Sequence, residues 1–248
     1  MSGLDWLTAR PIAHRGLHDA KAGIVENSAS AFAAAVAGNY AIECDLQLSA
    51  DGEAMVHHDD MLGRLNEGSA LLDAMPAAEL RRVRYRGSGD RIITLGDLCD
   101  LVGGRVTLVI EVKSRFDGGQ RLVARAAEVL AHYAGPAALM SFDPDQIATL
   151  RTLAPGIVRG MVAERRYAHH DWETLPARTR HALSYFTHAL DSRPQFIAYS
   201  VKDLPAPVPW LARSLFRVPI LTWTVRTAED RGRAQRYADQ MIFEGFRP

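Results

Sequence analysis

The chain has 248 residues, 48% of them hydrophobic and 23% charged, enough apolar material for one large domain with a substantial core. Its 29 basic and 29 acidic side chains cancel to a formal net charge of zero, which excludes the broad basic footprint of a nucleic-acid binder or a polybasic membrane contact. With no signal-peptide pattern in MSGLDWLTARP, no apolar run of membrane-spanning length and only Cys44 and Cys99 as thiols, the chain is expected to be a cytoplasmic protein without a stable membrane anchor, disulfide framework or structural zinc.

In chain order, the first strand candidate is PIAH near residue 12, which runs straight into His14-Arg15-Gly16. SASAFAAAVAG follows as a helix with serine at its N-cap and glycine at its C-cap. The second strand, AIECDL near 42, leads into QLSADGEAMVHHD, where Asp51-Gly52 marks a hairpin turn between alternating strands. A polar, arginine-rich stretch from Met61 to Arg91 then reads as loop and short helix. Six further strand candidates come at TLVIEV, ALMSF, GIVRGMV, QFIAYS, PILTWTV and QMIFE. They are interleaved with amphipathic stretches such as QRLVARAAEVLAHY, DPDQIATLRTLA and TAEDRGRAQRYA.

Eight strands alternating with helices predict an α/β fold, a (β/α)8 TIM barrel, within a single domain over residues 1–248. Strand spacing is about 20 to 37 residues except between the second and third strands, where it is roughly 67. The excess predicts an insertion over about residues 49–91, rising above the C-terminal face on which barrel enzymes keep their chemistry. Four residues follow Glu244, too few for an eighth outer helix, so the barrel is expected either to lack it or to use residues 1–10 as a cover.

The chemistry-bearing residues fall at strand ends. Glu43 and Asp45 share one face of the second strand and Cys44 takes the other. Two unpaired carboxylates inside a barrel cost several kcal/mol each, about what a bound cation offsets. The plainer alternative is a solvated strand end or pairing with arginine. On the third strand Val109, Glu111 and Lys113 share a face, so Glu111 adds a third oxygen ligand suited to a hard cation, and Lys113 a charge for a bound phosphate. A simple Glu111–Lys113 ion pair is the alternative. Only three of the 29 basic residues are lysine, which singles out Lys113.

His14 and Arg15 put an acid/base group beside a bidentate anion binder. A turn centred on Asp51-Gly52 sets Asp45 opposite His58 and sends His57 to the other side; a register slip of one would exchange the two histidines. Together these residues suit hydrolysis of a phosphate ester, one histidine acting as base and the other as acid.

HRG at His14, ENSASAF at Glu26, ECDLQLSADGEAMVHHD at Glu43, TLGDLCDLV, IEVKS, SFDP at Ser141 and TWTV at Thr222 together resemble the glycerophosphodiester phosphodiesterase family over about residues 11–244. The resemblance implies a TIM barrel with a small insertion after the second strand. It implies His14 and His58 as the acid/base pair, Glu43, Asp45 and Glu111 as ligands of one divalent cation, Mg²⁺ or Ca²⁺, and Arg15 and Lys113 as phosphate contacts. Trp223 is expected against the glycerol, a core tryptophan being the alternative. The implied reaction converts a small-molecule glycerophosphodiester to glycerol 3-phosphate and an alcohol.

Several positions depart from the family pattern. Arg64-Leu65-Asn66-Glu67-Gly68 replaces a common R-T-T-x-G, Arg226 stands where asparagine often follows W-T-V, and Phe243-Glu244-Gly245 replaces a threonine-aspartate pair. These put the leaving group in question, so a related enzyme acting on lysophospholipids or another diester is the second reading. A non-catalytic phosphate-binding barrel is the third.

Overall fold

The computed structural model describes residues 3–168 and 172–248. Its strands are, in chain order, β1 (Ile12–Ala13), β2 (Ala41–Leu48), β3 (Ala54–Val56), β4 (Ile93–Thr94), β5 (Leu108–Val112), β6 (Ala137–Ser141), β7 (Val158–Ala163), β8 (Phe196–Ser200), β9 (Ile220–Val225) and β10 (Gln240–Phe243). The helices are α1 (Asp5–Thr8), α2 (Ala29–Ala37), α3 (Ala77–Leu80), α4 (Leu95–Val102), α5 (Arg121–Leu130), α6 (Pro144–Leu153), α7 (Ala177–Tyr185), α8 (Ala189–Ser192), α9 (Pro207–Phe216) and α10 (Ala228–Tyr237). β1, β2 and β5 to β10 run parallel, and β1 pairs with both β2 and β10, closing an eight-stranded barrel. All eight strands expected in the barrel are barrel strands, and the return arm of the expected hairpin is β3, outside it.

Strand alternation divides the apolar residues into two layers. Ile42, Cys44 and Ile110 point outward and pack with helix residues Phe32, Leu98 and Val123. Val109, Met140, Val162, Phe196 and Ile242 point inward and fill the barrel. The interior is close-packed: a Cβ on Gly160 of β7 would lie 2.3 Å from the Phe196 ring, so glycine there makes room for the aromatic side chain.

The helices start where their caps dictate. Thr94 caps α4 and Thr227 caps α10, each in a reciprocal capping box with an aspartate, Asp97 and Asp230. Asp143 caps α6 ahead of Pro144. At the N-terminal mouth, Leu7 of α1 is fully buried in the interior cluster with Trp6 beside it. Gln240 donates to the Thr8 carbonyl at 2.9 Å and Thr107 to that of Trp6 at 3.2 Å. The segment 5–8 therefore covers the barrel floor, and residues 244–248 form no helix.

Between β2 and α4 the chain leaves the repeating unit. β3 pairs antiparallel with β2, and β4 with β3. The stretch read as polar supplies Leu62, Leu72, Leu80 and Tyr85 to a small core completed by Met55 and Ile92. The β2–β3 register corrects the sequence reading. Leu46 pairs with Val56, and the His57 amide donates to the Asp45 carbonyl at 3.0 Å, so Asp45 stands opposite His57 and not His58. The cause is loop length. Ser49 N bonds to Glu53 O, leaving Ala50, Asp51 and Gly52 as a three-residue loop with Gly52 at φ 91°, where a two-residue turn had been expected.

Candidate active site

The site starts where β1 ends. Arg15 and Gly16 both take positive φ, 55° and 80°, bending the chain sharply across the barrel mouth. A Cβ at Gly16 would meet Ala31 at 2.9 Å, so the bend also depends on close approach to α2. The bend brings the Arg15 amide to Glu43 Oε2 at 3.0 Å and its guanidinium Nε to 3.3 Å from Asp45. Glu26 accepts from Arg15 at 2.6 Å and Asn27, 1% exposed, donates to Asp45 Oδ2 at 2.9 Å. These contacts give the ENS segment its structural task of bracing the first two strand ends.

Glu43, Asp45 and Glu111 are buried, and one oxygen from each lies within 4.8 Å of the other two. Register explains the convergence, since Asp45 of β2 pairs with Glu111 of β5. Lys113 donates to both Asp45 and Glu111 at 2.8 Å, so the Glu111–Lys113 ion pair weighed as the alternative and the carboxylate cluster coexist. Burial opposes charge on Asp45, but Lys113 and Arg15 outweigh it and hold the carboxyl well below the usual range. Glu43 goes the other way: burial first, then Asp45 and Glu111, push it well above the usual carboxylate value. Three carboxylates facing two nearby cations thus leave negative charge that Glu43 holds only at a cost. An all-oxygen donor set with that surplus fits a hard divalent cation.

The two histidines expected at the rim are both there. His14 directs Nδ1 to Glu244 Oε2 at 2.8 Å and has Nε2 3.9 Å from Glu43. Burial lowers its pKa below the ordinary 6.5, against the opposing effect of its hydrogen bond to Glu244. His58 directs Nδ1 to Asp59 at 2.7 Å, and Arg64 grips Asp59 and Glu26, tying the insertion to Arg15. The register error does not exchange the histidines, because β3 ends at Val56 and the chain leaves the ladder. His57 turns inward, 1% exposed, bonded to the Asp59 carbonyl and Asn66 and stacked on Tyr85 at 6.4 Å.

His14, Arg15, Glu43, His58, Glu111 and Lys113 all border one cavity of about 970 Å³. Part of its wall is aromatic, with Phe116, Phe142, Trp172 and Trp223 in contact with one another. Trp223 is fixed by its indole N–H, which donates to the Ala198 carbonyl at 2.9 Å, and it meets Phe142 edge-on at 5.6 Å. Met61, Leu62 and Arg64 of the insertion line the same cavity.

A sequence model of the glycerophosphoryl diester phosphodiesterase family matches residues 14–245. The chain belongs to that family. Among family relatives, the glycerophosphodiester phosphodiesterase of Caldanaerobacter subterraneus subsp. tengcongensis is 28% identical over 162 residues, 61% of this chain and 65% of that protein. The match thus spans less than two thirds of that relative. In fold, the chain resembles the Oleispira antarctica phosphodiesterase solved with the product sn-glycerol-3-phosphate, with a TM-score of 0.76 at 20% identity over 96% of this chain and 94% of that one. The glycerophosphodiester phosphodiesterase of Thermotoga maritima gives a TM-score of 0.70 at 22% identity over 94% and 92% of the two chains.

Against this family background, sequence reasoning overlooked several residues. Glu26 and Asn27 were visible as motif letters but had no role until the fold placed them under Arg15 and Asp45. Asp59 and Arg64 sit in the least regular part of the chain. Glu244 was noted only as a departure, yet it holds His14, 230 residues away.

Proposed function

We propose that this family member hydrolyses glycerophosphodiesters to glycerol 3-phosphate and an alcohol. The observation that carries the reading is the meeting of His14, His58, Glu43, Glu111, Arg15 and Lys113 on one cavity, with Asp45 buried against Arg15 and Lys113 and within reach of the other two carboxylates. Arg15 and Lys113 bind the phosphate oxygens, and both stay charged because Asp45 faces each of them. His14 is neutral when its pKa is lowered, so its Nε2 takes the proton from the glycerol hydroxyl next to the phosphodiester. That oxygen attacks phosphorus, the bond to the leaving alcohol breaks, and His58 gives the departing oxygen its proton. Water then opens the cyclic phosphate as His58 accepts a proton and His14 returns one to glycerol. Glu43, Asp45 and Glu111 would hold one divalent cation, Mg²⁺ or Ca²⁺, whose charge stabilises the phosphoryl oxygens in the transition state. Trp223 offers its ring to the glycerol.

A lysophospholipid is the second substrate reading, favoured by the aromatic wall and by the exposed Trp210, Leu215 and Phe216 of α9. No helix among the described residues is long and apolar enough to cross a membrane. One panel separates the readings. Glycerophosphocholine and glycerophosphoethanolamine are expected to release glycerol 3-phosphate with Mg²⁺ or Ca²⁺, and chelation to abolish release. Turnover of lysophosphatidylcholine alone would favour the second reading, and turnover of none would refute both.

A further inference from the structure

Four side chains stand in one row across the barrel mouth, brought together from the two ends of the chain. β1 pairs with β2 as Ala13 with Ile42, and with β10 as Ala13 with Phe243, so His14 stands between Glu43 and Glu244. The fourth member depends on an irregularity. β10 pairs with β9 as Met241 with Thr222 and then as Phe243 with Val225, so β9 carries one extra residue. Past that shift Glu244 meets Arg226; in an unshifted register it would stand beside the buried, apolar Val225. Arg226 Nη2 donates to Glu244 Oε2 at 2.8 Å, the same oxygen that lies 2.8 Å from His14 Nδ1.

We propose that Glu244 is the positioning residue of His14, holding the ring with Nδ1 protonated and Nε2 turned to the cavity, and that Arg226 acts on the reaction only by clamping Glu244. This rests on the reading of His14 as the base. An ionised carboxylate only accepts hydrogen bonds, so the Nδ1 contact requires a hydrogen on that nitrogen and leaves the lone pair of the neutral ring on Nε2. Nε2 is the nitrogen on the Glu43 side, 3.9 Å from Oε2, where the substrate hydroxyl has to arrive. Glu244 itself has rotatable bonds and is a quarter exposed, so it positions the imidazole only if held. Arg226 supplies that hold, and His18 Nε2 lies 4.0 Å from the other carboxylate oxygen.

Arg226 also borders the cavity and is half exposed, so direct contact with the substrate is the outcome the test has to separate. Steady-state kinetics of Glu244→Gln, Glu244→Ala, Arg226→Met and the Glu244→Ala/Arg226→Met double variant do so. Glu244→Gln keeps the size of the side chain and guards against a folding defect. Each Glu244 variant is expected to lose about 10- to 100-fold in kcat with KM nearly unchanged, as for other outer partners of a functional histidine. Arg226→Met should lose less, and the double variant should be no worse than Glu244→Ala alone. Wild-type kcat in both Glu244 variants would overturn the proposal. A raised KM in Arg226→Met with additive losses in the double variant would make Arg226 a substrate contact instead.

Long-range ¹⁵N–¹H spectra of the His14 ring, assigned with His14→Gln, give a readout independent of turnover. The Nδ1–H tautomer is expected in the Mg²⁺-supplemented wild type and a mixture in Glu244→Ala. An Nε2–H ring in a wild type that cleaves the diester refutes the positioning alone. An Nδ1–H ring lost in Glu244→Ala, in a protein that cleaves no diester, refutes the function and leaves the positioning standing.

Discussion

Neighbouring histidines in this chain have opposite surroundings, and the difference is measurable. His57 is enclosed by Tyr85, Asn66 and the Asp59 carbonyl, whereas the His58 side chain is 32% exposed on the cavity. His57→Ala is therefore expected to cost about 1–3 kcal/mol in urea unfolding, from lost hydrogen bonds and packing, while kcat per folded molecule holds. His58→Ala should show the reverse, a kcat loss of about 10²–10⁴ with stability nearly unchanged. A dead His57→Ala beside an active His58→Ala would exchange their roles. The sequence made the pair visible but gave the wrong reason for choosing between them. Alternation from a two-residue turn put His58 opposite Asp45; the loop has three residues, and His58 reaches the cavity only because the ladder stops at Val56. His14 and His58 are also built alike. Each presents Nδ1 to a carboxylate, Glu244 or Asp59, which an arginine, Arg226 or Arg64, holds in turn.

Among the elements, barrel strands were legible because each is a short β-branched or apolar run between turn residues, and burial on both faces enforces that composition. The insertion was not. Leu62, Leu72, Leu80, Tyr85 and Ile92 follow neither a helical nor a strand period, so their common core appears only once β3 and β4 fold back on β2. Gly160 likewise carries no local signal, since its reason lies on the next strand. Gly160→Ala is expected to destabilise the barrel by about 1–3 kcal/mol through overpacking on Phe196. Adding Phe196→Leu should recover part of that loss in equilibrium unfolding. An additive pair of losses would mean that the clash is relieved elsewhere.

Across the whole molecule, a formal charge of zero conceals a mouth where both signs meet within hydrogen-bond distance, around Asp45. It also conceals a buried titrating group outside the set proposed for the chemistry. His188 bonds Ser192 through Nδ1, its Nε2 is buried with no hydrogen-bond partner among the described residues, and burial pushes its pKa down to about 4 from 6.5. Between those values the unfolded chain binds more protons than the folded one. The stability associated with His188 is thus complete above pH 6.5 and falls on acidification towards pH 4. His188→Gln should flatten this part of the stability–pH curve; an unchanged curve would mean another group produces it. Barrel closure has a different kind of consequence. Both histidines, all three carboxylates, Arg15 and Lys113 lie within the first 113 residues, but Glu244 meets His14 across 230 residues of chain. Contacts so distant in sequence are slow to form, because the intervening loop must lose its freedom before they yield any stabilisation. During folding, the groups proposed to perform the chemistry can therefore assemble early, while the His14 ring proposed to take the proton stays unaimed until the last strand docks on the first. Recovery of turnover in a refolding experiment would time that final closure.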